Sequence, residues 1–321
     1  MKGVVTASVL SAINDSFQTR FNRARGSVPG FFKKLCMEVP SSSSNNLYGW
    51  LADLPAITKI GAAGEYIKKR IQTLGYQLTN EKFGNIIEVP REAIEDDQYG
   101  MYANIAGMQG QRAGQAPDIE LIQLLVKSFS ATKGKDYMGS AFFADSKKAH
   151  SKATAFDNKG VKKLSAANFT TALASLRERT DAAGQPLFTM MDPSQVYLVV
   201  CSDDESTADE IVTLPTLSGG GANPNYKKAV VLVLPGLQTA AQADTGINDA
   251  DARPWFLLDC SQEIKPFIFQ NRSSFEITPN FNLTSTAVFE QDVFQWKTRG
   301  RMALGYGLPE YAWGSTGADA A

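Results

Sequence analysis

Histidine is the side chain best suited to moving protons near neutral pH, and this chain has one, His150. A lone imidazole excludes the His-Glu-x-x-His zinc motif and every mechanism that needs two imidazoles. A Ser-His or Cys-His dyad stays open in principle, but no Gly-x-Ser-x-Gly elbow presents a serine. Cys36, Cys201 and Cys260 lie far apart with no Cys-x-x-Cys pair. They read as small buried hydrophobes in a reducing compartment, not as a disulfide or zinc framework. Two acidic runs, Glu95-Asp96-Asp97 and Asp203-Asp204-Glu205, could hold a cation or share a proton. Acids placed just before a helix also cap its free amides and favour its positive end, which is the reading adopted for Glu95 to Asp97, while Asp203 to Glu205 precedes a short helix. Gly219-Gly220-Gly221 would cradle a phosphate only between a strand and a helix. Its flanks are Pro215 and Pro224, and no Gly-Lys-Ser/Thr follows. No catalytic residue, metal site or cofactor is assigned.

The chain has 321 residues, room for one large domain or about two at ~150 residues each. It is 43% hydrophobic and 20% charged, which excludes disorder as the main state. A net charge of -1 excludes a whole-surface basic field for nucleic acid. The longest aliphatic run, Ala229 to Leu234, is far short of the ~20 residues of a membrane span, and the N-terminus lacks the apolar core of a secretory signal. A soluble, intracellularly made protein with no membrane partner is expected.

Helix is expected from Gln98 to Ser130, with an apolar stripe of Ile119, Ile122, Val126 and Phe129 and a break or kink at Pro117. Gly107, Gly110 and Gly114 weaken its first half. A second helix starts at Ser165, with Phe169, Ala172, Leu173 and Leu176 on one face. Val196 to Val200 and Ala229 to Leu234 read as buried strands, and Ala240 to Asp251 as an acidic loop. From Trp255 to Gly314 the apolar residues recur mostly at period two, predicting an extended antiparallel sheet. The fold class is α+β.

Two segments lack a core of their own. Residues 1 to about 46 interleave Phe17, Phe21, Phe31 and Phe32 with five cations, then run into the polar stretch Pro40 to Asn46, which reads as flexible. This is either an arm that packs on something else or a helix docked on its own domain. Residues 66 to 92 suggest a long hairpin, with a break at Phe83-Gly84-Asn85 and an edge strand ending at Pro90. A long hairpin with so thin a core needs a partner surface. Charge is also segregated: residues 133–163 carry about +5 and residues 203–251 about -6. Protruding elements that cannot offset their own ordering entropy belong in obligate assemblies, so the chain reads as a self-assembling structural protein.

Particular blocks then resemble a known family. Val39-Pro40-Ser41-Ser42, Tyr48-Gly49-Trp50-Leu51, Tyr76 to Phe83, Ile87 to Arg91, Trp255 to Asp259, Ile264 to Gln270 and Arg299-Gly300-Arg301 resemble the Mu-like phage major head subunit family. The middle of the chain, about 140 to 250, is the least similar. The resemblance implies the Hong-Kong-97-type capsid fold. Its regions would be an N-terminal arm (1–50), an E-loop hairpin (51–96), a P-domain spine helix (97–139), an A-domain (140–258), and P-domain strands returning toward the A-domain (259–321). It implies homo-hexamers and pentamers in an icosahedral head, the virion capsid, assembled in the bacterial host cytoplasm. Implied partners are a separate scaffolding protein, a portal, decoration proteins, and packaged double-stranded DNA bound without sequence specificity. Candidate contacts between subunits are Phe17, Phe21, Phe31, Phe32, Trp50, Tyr76, Phe83, Lys147 and Lys148. The two lysines are expected to meet an acidic segment of a neighbour. No residue here matches the Lys-Asn cross-linking motif of some relatives, so no cross-links are expected. The rival readings are an encapsulin-like compartment shell and a cytosolic enzyme with an unrecognised site.

Overall fold

The computed structural model of the chain describes residues 7–51, 73–96, 101–148, 155–180, 186–187, 192–217, 219–244, 247, 249, 251–280 and 285–319. Its first third runs α1 (Ala7–Ser27), α2 (Phe32–Leu35), β1 (Cys36–Pro40), β2 (Asn45–Leu51), β3 (Thr73–Thr79), β4 (Glu81–Pro90), α3 (Arg91–Glu95) and α4 (Met101–Lys127). The middle holds β5 (Lys159–Lys162), α5 (Ala166–Arg177), β6 (Val196–Val200), α6 (Glu205–Val212), β7 (Val230–Val233) and α7 (Leu237–Ala243). The end is β8 (Trp255–Asp259), β9 (Phe267–Asn280), α8 (Thr286–Gln291), β10 (Val293–Tyr306) and β11 (Ala312–Asp319). Among the described residues no helix is long and apolar enough to cross a membrane.

The strands form two sheets and a ribbon. One sheet has the order β1-β9-β10-β4, the other β5-β11-β8-β6-β7, and β2 pairs only with β3. In the five-stranded sheet the period-two rule sorts residues by face. Leu198, Val200, Trp255 and Leu257 meet Phe169, Leu173, Leu176 and Ile211 of α5 and α6. Val199, Phe256 and Leu258 point the other way, toward Leu121 and Leu125 of α4 and Leu237 and Ala241 of α7. Helices on both faces explain why β8 is buried at every position.

The long sheet is built differently. β9 and β10 each run 14 residues and pair antiparallel. β1 joins β9 in parallel, with Cys36 opposite Phe267, and β4 is the far edge, with Val89 opposite Phe294. Against this sheet lies the pair α1 and α4. Gly110 and Gly114 explain how they come so close. A Cβ on Gly110 would sit 2.3 Å from the Phe21 carbonyl oxygen, and one on Gly114 would sit 2.8 Å from Val28. Glycine costs a helix interior roughly 0.5–1 kcal/mol, and here it admits the partner backbone. Phe17 then stacks on Trp296, ring centroids 4.6 Å apart.

Several expectations change. The N-terminal segment is a helix docked on its own chain. The stretch read as a flexible linker holds the last residue of β1 and the start of β2, because β9 and β3 supply partners far away in sequence. The hairpin is β2 with β3, and residues 66–72 lie outside the described residues. No break occurs at Phe83-Gly84-Asn85. Gly84 is within β4 because a Cβ there would meet the Thr298 carbonyl oxygen of β10 at 2.3 Å. α4 runs unbroken through Pro117. The proline removes one helical donor, but Pro117 is buried and burial of Leu121 and Leu125 beyond it holds the axis. The buried face of α4 therefore includes Leu121, Leu125 and Val126, while Ile119 is 55% exposed. Glu95 and Asp96 end α3, with the Asp96 amide donating to the Glu92 carbonyl, and Asp97 lies outside the described residues. The expected loop at 240–251 begins inside α7.

Candidate functional site

Two kinds of place could act: buried polar clusters and exposed apolar surface. The main buried cluster lies where the chain passes from one sheet to the other. β10 ends in the long sheet, Pro309–Tyr311 form a single 3-10 turn, and β11 begins in the five-stranded sheet. Arg179, just past α5, holds that turn. Its Nη1 donates to the carbonyls of Pro309 and Ala312, both at 3.1 Å, and to that of Glu310. Its guanidinium stacks on Phe156, 4.7 Å from the ring centre. From the other side, the Tyr137 hydroxyl donates to Glu310 Oε1 at 2.6 Å. Lys147 completes the cluster, donating to Asp136, to the Ala141 carbonyl at 2.6 Å and to Ser140 Oγ at 3.2 Å.

Burial dominates the electrostatics here. It pushes the Glu310 and Asp136 carboxyls above the usual carboxylate range, the former eased by the Tyr137 hydroxyl and the latter by Lys147. It draws the Lys147 ammonium and the Arg179 guanidinium down, with Asp136 and Glu310 respectively opposing the shift most strongly. Glu310 Oε2 and Arg179 Nε are buried without a hydrogen-bond partner. The other contacts tie these buried side chains to one another and to the carbonyls of the turn, so the cluster fixes how the two sheets meet.

The remaining titratable groups do not assemble into chemistry. The three cysteines are free and buried, and burial pushes Cys201 and Cys260 up to about 12, which suppresses the thiolate a nucleophile needs. Burial raises the Asp204 carboxyl and Arg253, at 3.2 Å, opposes the shift. Among the described residues no group of three or more His, Cys, Asp or Glu could hold a metal ion. His150 lies outside the described residues.

The residues proposed as subunit contacts fall into different environments. Phe17, Phe21 and Phe32 are in the chain's own core, at 4%, 0% and 8% exposure, because α1 and α2 pack on α4 and the long sheet. Lys147 is inside the buried cluster, because Asp136 and two further acceptors replace its water, so it presents nothing to a neighbour. Lys148 is exposed. Phe31, Tyr76 and Phe83 are half-buried against the main core; the Tyr76 hydroxyl accepts from the Tyr306 amide at 3.2 Å. The Trp50 side chain lies outside the described residues. Sequence reading missed the open apolar side chains: Leu47 on the β2–β3 ribbon at 75% exposure, Ile86 on the β4 edge at 57%, and Phe289 on α8 at 84%.

Among the described residues, a buried polar centre, a ribbon that leaves Leu47 open and titratable groups that do not converge on one place suit a building block. The sequence pattern of the family described as Mu-like prophage major head subunit gpT matches residues 10–161 and 236–319. The chain belongs to this family. It is a major head (capsid) subunit of a tailed phage, a structural protein and not an enzyme. It is 24% identical to the Mu-like prophage FluMu major head subunit of Haemophilus influenzae over 96% of this chain and 73% of that one. It is also 24% identical to the major capsid protein of Escherichia phage Mu, over 96% and 74%. In three dimensions it resembles the subunit in the procapsid of bacteriophage JBD30, with a TM-score of 0.56 and 23% identity, over 97% of this chain and 76% of that one. The head subunit thus has the Hong-Kong-97-type fold expected from the resemblance. Residues 162–235, outside the family match, hold α5, β6, α6 and β7, within the stretch whose sequence was least similar.

Proposed function

We propose that the subunit builds the head as hexamers and pentamers in which the β2–β3 ribbon reaches a neighbouring subunit. The observation that carries this is the ribbon. It is two-stranded, and on the face bearing Gly49 and Gly75 it leaves Leu47 at 75% exposure. Its inner face near the base is covered, where Tyr76 and Leu78 close over Gly305 of β10 and the Tyr48 hydroxyl donates to Gln270 at 2.8 Å. A two-stranded ribbon is marginal alone, and a neighbour's surface would supply the missing face.

The regional division follows the same reading: arm 1–50, E-loop 51–96, spine helix 97–139, A-domain 140–258, and returning P-domain strands 259–321. α4 is long and continuous enough to serve as the spine, and the five-stranded sheet with its covering helices is the compact centre an A-domain needs. Lys148, Lys135 and Lys162 remain exposed for contact with acidic segments of a neighbour. Assembly in the bacterial host cytoplasm with a separate scaffolding protein, a portal and decoration proteins, around DNA held without sequence specificity, completes the proposal.

The test is native size. The chain is produced with and without its neighbouring phage genes and studied by velocity sedimentation and negative-stain microscopy. Closed shells or capsomer rings are expected when the genes are present. A uniform small oligomer under both conditions overturns the proposal.

A further inference from the structure

Two surface features on opposite parts of the P-domain region are complementary in shape and charge. The first is an open cavity of about 260 Å³ at the end of α1, walled by Val28, Phe32, Pro117, Phe275 and Met302. Cations rim it. Arg25 and Lys33 line the mouth, and Lys34 and Lys265 stand beside it, the Lys265 Nζ donating to the carbonyls of Lys33 and Lys34 at 3.3 and 3.1 Å. None of these four cations has a carboxylate partner among the described residues. The one acid in the lining, Glu38, takes a hydrogen bond from Asn271 at 3.5 Å.

The second feature is Phe289. It projects from α8 at 84% exposure, while its neighbour Val288 is buried with Phe17, Phe294 and Trp296. Around it the surface is acidic: Glu290 and Asp292 flank it in sequence, and α3 adds the exposed Glu92 and Asp96. Arg91 is the cation there, held 3.7 Å from Asp292.

We infer that Phe289 of one subunit seats in the α1–α4 cavity of a second copy of this chain, its acidic surround facing the basic rim. The sizes agree, since an apolar cavity of ~150 Å³ already accommodates benzene. The knob cannot fill its own socket. α1 runs from the cluster under α8, at Phe17, to the cavity, at Val28, which separates the two by ~16 Å of helix. A contact between two different patches is heterologous and passes from subunit to subunit, as a shell of identical chains requires. The inference rests on the head-subunit reading and adds a specific contact to it.

The test uses cysteine pairs in particles formed by the full chain with its neighbouring phage genes. Phe289→Cys chains and Lys33→Cys chains are co-produced, and the particles are oxidised and run on a non-reducing denaturing gel. The native cysteines are buried, so the new thiols report alone. A linked dimer in the mixture, absent from either variant by itself, is expected. Particles with only monomeric chains overturn the contact while leaving the head-subunit reading intact; absence of particles from the unmodified chain removes both. A second readout is Phe289→Asp. With the side chain already in water, its melting temperature stays at the parent value, and particle yield falls at least tenfold. Unchanged yield overturns the inference. Adding Arg25→Glu and Lys33→Glu to a chain carrying Glu290→Lys and Asp292→Lys restores yield lost by either pair alone; no restoration counts against charge complementarity.

Discussion

The five-stranded sheet and the β2–β3 ribbon are both β-structure, yet they answer to different surroundings. β6 and β8 have helices on both faces, and every residue of β8 is buried. The ribbon has one face partly on β10 and another in water, with Leu47 at 75% exposure. The first region is complete within one chain. The second leaves Leu47 open, and in the proposed assembly a neighbouring subunit covers it. A substitution in the sheet should therefore be felt in the isolated subunit, and one in the ribbon only in the assembly.

The largest effect is expected from Phe256→Ala. Phe256 is fully buried among Phe129, Phe143 and the α4 side chains. Loss of about 3–5 kcal/mol is expected, read from urea unfolding of the soluble subunit. Arg179→Met comes close behind at ~3–5 kcal/mol, because it leaves three carbonyls and the buried Glu310 without their cation. If Arg179→Met unfolded at the parent midpoint, the cluster would not be what joins the sheets. Gly84→Ala is expected to cost about 1–3 kcal/mol, since its Cβ meets the Thr298 carbonyl and β4 must shift from β10.

A smaller effect is tied to pH. The native Glu310 carboxyl holds its proton above the ordinary value of 4.5. Between that value and its raised native one, the unfolded state is ionised and the native state is not, so stability falls as pH rises through the window. Glu310→Gln should flatten this slope in denaturation curves collected at several pH values, and an unchanged slope would assign it to other groups. The smallest effect on the single chain is Leu47→Ser, within about 0.5 kcal/mol by thermal melting. Its particle yield is expected to drop, which sharpens the contrast with Phe256→Ala.

Much of the sheet region was legible because it is locally consistent. In α5, Ser165 accepts from the Asn168 amide as an N-cap, and Phe169, Ala172, Leu173 and Leu176 are all buried, as their spacing demands. β6, β7 and β8 follow from short apolar runs, and β9 with β10 from period two. What stayed hidden depends on partners distant in the chain. Gly110 and Gly114 weaken a helix on propensity alone, and only the arrival of α1 gives them a purpose. β1 ends and β2 begins in a polar stretch, and their hydrogen-bond partners lie elsewhere in the chain, those of β1 some 230 residues away. Lys147 sits in a lysine-rich run that reads as solvated, and nothing local announces that Asp136 will bury with it. The Phe289 knob sits in a six-residue helix between two long strands, where one aromatic looks like core until its neighbours prove otherwise.

The pairing of β1 with β9 and of β4 with β10 also sets a timetable for biosynthesis. At ~5–20 residues per second, roughly 10–40 s separate the emergence of Glu81–Pro90 from that of its partner Val293–Tyr306. Throughout that interval the nascent chain carries unpaired strand edges and must avoid other nascent chains on the same message. The long sheet closes only near the end of translation, so a polypeptide cut short by premature termination lacks the surface on which Phe17 and Tyr76 pack.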